Sequence, residues 1–297
     1  MLSWKLWRAI NHPPQHSPLY RRVYIRQLNV QDEPLNLRIP LLGLFKNAGL
    51  IILPVVIILL GTPILVLLYY LALLIAPILL PFANTIYGLI QVVSVSGSIA
   101  RERQQQTYDV ICTAPQGVLG MHWSYCVGWI HFHWLYRAIL LGILSIGIVA
   151  SVFGVSPQAV FGGDQVPLAI TIFRALVLGV LFVIDYAQTM VVSSLITLIA
   201  PVYAENEGNA RLWAASLFLT LQLAVYGPTL LFGLFALPST FTLIGFAPLV
   251  SDLLIPLLLL GFFVALRETI ISGLWHTIRQ QLTTDAVELD AISGLAL

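Results

Sequence analysis

From Ala48 to Ala100 the chain carries no Asp, Glu, Lys or Arg, and this run constrains the fold more than any other feature. It is too long for one membrane crossing of about 20 residues. In hydrocarbon every backbone N–H and C=O must be satisfied inside the protein, which helices do within a single segment. Two spans fit the run, near 47–71 and 76–100, with Ala76-Pro77 close to the turn between them and Pro63 and Pro81 as kinks. Composition points the same way. Of 297 residues, 59% are hydrophobic and 9% charged, against about 25% charged in ordinary soluble domains.

Four more spans are expected, near 135–154, 168–200, 212–236 and 248–266. Residues 155–167 and the stretch from Leu237 to Phe246 contain no Lys or Arg, so both read as outer connections. The turn from Tyr203 to Arg211 is polar and reads as an inner one. Residues 1–46 hold seven of the fourteen Lys and Arg, among them Lys5, Arg8, Arg21, Arg22 and Arg26. The positive-inside bias places this arm in the cytoplasm, and Arg267 and Arg279 return the C-terminus to the same side. Trp4, Trp7 and Ile10 recur at about helical spacing, as in a helix lying on the inner membrane surface. The expected organisation is an all-α integral membrane protein of six transmembrane helices. A basic, amphipathic N-terminal arm covers 1–46, the span domain 47–268, and a C-terminal helix and tail 269–297. Both termini are expected in the cytoplasm, in the plasma membrane of a prokaryote. The first apolar run starts only near Ala48, so no cleavable leader is expected.

Residues 118–136 are dense in aromatic rings and contain His122, His131 and His133. Such rings favour the headgroup region, and a belt at the membrane interface is the preferred reading. Ligation of haem, pigment or metal is the lesser one, because His131 and His133 are two apart and face different sides of a helix. No cofactor is expected. Cys112 and Cys126 read as free thiols. The formal charge of +1 and the lack of any basic block beyond the N-terminal arm argue against a nucleic-acid partner. The sequence holds no phosphate-loop motif, no zinc-spaced Cys/His set and no nucleophile elbow. The chain reads as no enzyme, and ATP hydrolysis, if used, must come from another subunit.

Between the second and third expected spans lies the most polar interval of this region, Ile99 to Pro115. Four charges and three successive glutamines cannot enter hydrocarbon without partners, so the interval is expected in water or against another protein. Its inner half reads as a short helix, with Thr107 as N-cap, Asp109 in the first turn and Pro115 ending it. The run resembles the coupling segment of type-2 ABC transporter permeases. There a Glu-rich cluster, Gly-Thr-x-Glu, apolar residues and Thr-x-Pro form a helix that docks on the ATPase subunit. Glu102 matches the first acid, Thr107 the threonine, Asp109 the second acid, and Thr113-Ala114-Pro115 the close; Gln104 and Gln106 depart from the pattern. The resemblance implies a coupling helix over about 101–116, with Arg101, Glu102, Arg103, Thr107, Asp109 and Pro115 in contact with the partner. It implies a second permease chain, identical or paralogous, and export of a small or amphiphilic substrate. An accessory transmembrane subunit of a larger assembly, keeping the permease fold without drive, stays open as the alternative.

Arg174, Asp185 and Asp252 fall inside the expected spans, where ionisable groups are costly and commonly functional. Asp185 is near the middle of span four and Arg174 lies eleven residues earlier. That spacing puts them on nearly the same face but about 16 Å apart along the axis, so they cannot pair. Asp252, near the start of span six, is the better partner for Arg174. Asp185 is expected either to line a transport pathway or to bond a neighbouring helix.

Overall fold

A computed structural model describes residues 1–11, 20, 82–105, 117–133, 168–245 and 247–282. Every regular element among them is a helix. We number them in chain order: α1 Leu2–Asn11, α2 Phe82–Gln104, α3 Gly117–Phe132, α4 Leu168–Ile199, α5 Glu207–Leu231, α6 Leu237–Ile244 and α7 Pro248–Leu282. The expected spans near 47–71 and 135–154, the loop 155–167 and the C-terminal tail lie outside the described residues. So do Thr107, Asp109 and Pro115.

Four helical segments are long and apolar enough to cross a membrane: Phe82–Gln104, Leu176–Val202, Glu207–Ile244 and Val250–Gln281. The second lies in α4, whose bounds, Leu168–Ile199, agree closely with the expected span four. The other three run past their expected ends. α2 continues through Ala100 to Gln104, so Arg101, Glu102 and Arg103 form its last turn instead of a separate segment. Helical structure also replaces the expected turn from Leu237, because a single π turn, Phe232–Ala236, joins α5 to α6. Its cause is local. Pro238 has no N–H and its ring would strike the carbonyl four residues back in a regular helix. Widening by one residue lets the Leu237 N–H reach the Phe232 carbonyl instead. The chain turns at Gly245, whose φ of 74° is the left-handed conformation that glycine adopts without strain.

α7 joins two expected segments, the span to 266 and the C-terminal helix from 269, into one helix that runs to Leu282. Arg267 is therefore an interior position of a long helix.

The core is built on the second half of α4. From Asp185 to Ala200 every residue is buried, whereas Leu176, Val180 and Val183 in the first half are exposed. Val92, Val95 and Ile99 of α2, Phe218 of α5 and Ile271, Trp275 and Ile278 of α7 pack on it. Gly88 permits the close approach of α2, since a Cβ there would meet the Phe218 ring at 2.6 Å. α3 is buried without interruption from Met121 to Ile130. A helix enclosed on every side has no reason to show a polar face, which is why its sequence lacks one. Trp123, Tyr125 and Trp129 are core residues, so the interfacial belt expected there is not formed by these rings.

Candidate functional site

The polar groups of the apolar helices gather in one place. Asp185 of α4 and Arg267 of α7, 3% and 1% exposed, form an ion pair with Nη2 at 2.8 Å from Oδ1. The polar atoms around them come from α2, α4 and α5. Asn84 of α2 donates its amide to Asp185 Oδ2 at 2.9 Å. The Tyr226 hydroxyl of α5 lies 2.9 and 3.1 Å from the two carboxylate oxygens. Gln222, one turn earlier on α5, accepts from Arg267 Nη2 at 2.7 Å. Thr189, one turn after Asp185, takes a further bond from the same nitrogen at 3.3 Å. The Arg267 guanidinium also lies over the Tyr226 and Phe263 rings, 5.3 and 5.4 Å from their centroids.

Energetics explain why so many partners converge. Removing two charges from water costs several kcal/mol each, and their mutual attraction offsets this only when remaining donors and acceptors are also met. Here the carboxylate is met by donors and Arg267 Nη2 by three acceptors, with ring faces beside the guanidinium, while Arg267 Nε and Gln222 Nε2 find no hydrogen-bond partner among the described residues. The result ties α2, α4, α5 and α7 at one level. Asp185 thus has an interhelical partner, but it is Arg267, which the sequence reading placed beyond its span. The available signal was Asp185 itself: a mid-span carboxylate with no cation within reach on its own helix requires one elsewhere, and few basic residues sit beside apolar runs. Arg174 pairs with Asp252 at the starts of α4 and α7, as the spacing argument required.

A second layer lies toward the ends of α2 and α4. Gln91 donates to Ser194 and to the Cys126 thiol at 3.2 and 3.3 Å and accepts from Ser193 at 2.9 Å. His122 of α3 donates from Nδ1 to the Leu198 carbonyl at 3.3 Å, and Arg103 donates to the Pro201 carbonyl. Both satisfy carbonyls that the end of a helix leaves unpaired. Burial, only partly opposed by that hydrogen bond and reinforced by Arg103, lowers the His122 pKa to about 4. His122 is therefore neutral at physiological pH.

The three described members of the expected coupling set separate. Glu102 is 2% exposed and accepts from the Tyr125 hydroxyl at 3.0 Å. The expectation that it lies in water is overturned, because α3 covers the side of α2 that carries it. Arg101 and Arg103 are exposed. Arg101 makes a two-point contact with Glu207, Nε to Oε2 at 3.1 Å and Nη2 to Oε1 at 2.7 Å. Arg211 pairs with the same carboxylate from the next turn of α5. Asn206 caps that helix, accepting from the Asn209 N–H at 2.8 Å.

α1 is clamped at both ends. Glu268 accepts from the Leu2 and Ser3 amides at its N-terminus, and the His131 imidazole donates to the Ile10 carbonyl at 3.0 Å. Acid at the N-terminus and base at the C-terminus both suit the helix dipole. His131 is occupied in this way, and no group of three His, Cys, Asp or Glu among the described residues is arranged to hold a metal. Compared with known proteins, the chain matches no family model, no curated protein and no solved structure.

Proposed function

We propose that the chain is the membrane-spanning subunit of an ATP-driven transporter, moved by a separate ATPase. The observation that carries this reading is the charged cluster at one end of the helices. Arg101 and Arg103 close α2, Glu207 and Arg211 open α5, and Arg101 and Arg211 share Glu207. A partner that engages this surface grips two spanning helices at once and can tilt them together. The remaining support is from sequence: the resemblance of 101–115 to a type-2 ABC permease, and the absence of a phosphate loop, which leaves drive to another subunit. In this reading two such chains pair across the pathway, identical or paralogous, with both termini cytoplasmic. The buried Asp185–Arg267 pair is the fixed point about which the ends swing. The substrate is small or amphiphilic and exported.

Glu102 favours a second reading, an accessory subunit with a permease-like fold. The first acid of the resemblance is bonded inside the chain, to Tyr125, and is no longer available to a partner. Copurification after mild solubilisation separates the two. A transport subunit brings an ATPase whose substrate-stimulated hydrolysis falls when Arg101 and Arg103 are changed to Glu. An accessory subunit brings other membrane proteins, or an ATPase indifferent to both changes.

A further inference from the structure

One outward stripe of α7 changes character along its length. Leu254, Leu258 and Ala265 are exposed, with exposed Gly261 between the last two, and in steps of three or four residues the stripe continues into exposed Thr269, Ser272 and His276. The first three suit hydrocarbon and the last three suit water, so the change falls between Ala265 and Thr269. From Pro248 to Leu266 is about 28 Å of helix, close to the roughly 30 Å of a hydrocarbon core. α4 agrees: its exposed apolar residues end at Val183, one turn before the Trp7 ring of α1 covers Tyr186 at 5.5 Å between centroids.

α1 lies at this same level, held by Glu268. Its buried side is Ser3, Leu6, Ala9 and Ile10, and its exposed side is Met1, Trp4, Lys5 and Arg8. Two exposed cations are costly in hydrocarbon but favourable beside lipid phosphates, and an exposed indole belongs at the interface. We infer that on this face the hydrocarbon ends between Ala265 and Thr269, and that α1 lies in the headgroup layer with Lys5 and Arg8 as a site for anionic lipid. The α7 segment from Thr269 to Gln281 then stands in water, although the whole of Val250–Gln281 is apolar enough to span. This does not depend on the transport reading. It has a consequence for the buried site: Glu268 follows Arg267 and Tyr186 follows Asp185, so α1 attaches beside both members of the ion pair.

The test uses the purified chain in nanodiscs, with Cys112 replaced by Ser and buried Cys126 kept as a folding control that reacts only after denaturation. A membrane-impermeant maleimide is expected to label Ser272→Cys on the order of tenfold faster than Leu258→Cys, because only the former meets water. Protection of both, or labelling of both at similar rates, overturns the boundary. Hydrogen exchange of the α1 amides tests the headgroups. Adding phosphatidylglycerol to phosphatidylcholine nanodiscs is expected to slow it about tenfold, and Lys5→Gln with Arg8→Gln to abolish the difference. Equal exchange of the unsubstituted chain in both lipids overturns the anionic-lipid site, even where the labelling pattern is as expected.

Discussion

Arg174–Asp252 and Asp185–Arg267 join the same two helices, α4 and α7, with the charges reversed. The side chains of the first pair are 42% and 33% exposed, and those of the second 4% and 1%. An exposed pair contributes about 0–1 kcal/mol, since solvent screens it and long side chains lose freedom in making it. A buried pair is a different object. It adds little beyond what an apolar pair of equal volume would, but breaking it costs about 3–5 kcal/mol by stranding a charge. What the two pairs share is information. On α4 the cation precedes the anion, and on α7 the anion precedes the cation. Parallel alignment of the two helices satisfies both.

The largest test of this contrast is Arg267→Leu. Asp185 is left buried without its counter-charge, and we expect a loss of about 3–5 kcal/mol, read as a fall in folded yield and melting temperature in detergent. Asp185→Leu combined with Arg267→Leu should recover most of that loss, because no charge is then stranded. If the double variant is as unstable as the sum of the singles, the pair is not coupled as the geometry requires.

His122 extends the comparison to a buried base. Its folded pKa, about 4, lies below the ordinary 6.5. The unfolded chain therefore binds more protons between those values. Stability from this group is complete above about pH 6.5 and is lost as pH falls toward 4, by about 3 kcal/mol in all. Melting curves across that window should flatten in His122→Asn. An unchanged slope would mean that other groups carry the acid sensitivity.

Glu102→Ala is expected to cost about 1–3 kcal/mol, since it leaves the buried Tyr125 hydroxyl without its acceptor. Tyr125→Phe in the same chain should restore part of it. A cost near zero for the single change would return Glu102 to the solvent-exposed role expected from sequence. Smallest of all, Asp252→Asn should change stability by about 0–1 kcal/mol. A loss as large as that of Arg267→Leu would show that the pair at the helix starts is desolvated by its surroundings and belongs with the buried one.

The residues that misled sequence reading share a cause. Arg267 and Glu102 both stand at the edge of an apolar run, where a charge ordinarily marks the exit from a membrane. Whether such a charge turns outward or into the bundle depends on what packs beside it: Asp185 for Arg267 and Tyr125 for Glu102, 82 and 23 residues away in sequence. Aromatic residues 118–132 failed in the same manner, because amphipathic rings suit an interface and a polar-lined core equally well.

The sequence by itself determined that the chain is helical and membrane-compatible, that α4 is long and apolar enough to span, and that Asp185 needs a partner. Those conclusions follow from hydrophobic length and from the cost of an unpaired charge, both properties of single segments. Only the tertiary structure decided who pairs with whom. Four helices bring Asn84, Asp185, Tyr226 and Arg267 to one level. Helix periodicity says which face a side chain takes, but not which helix stands opposite it or how far the two have slid past each other.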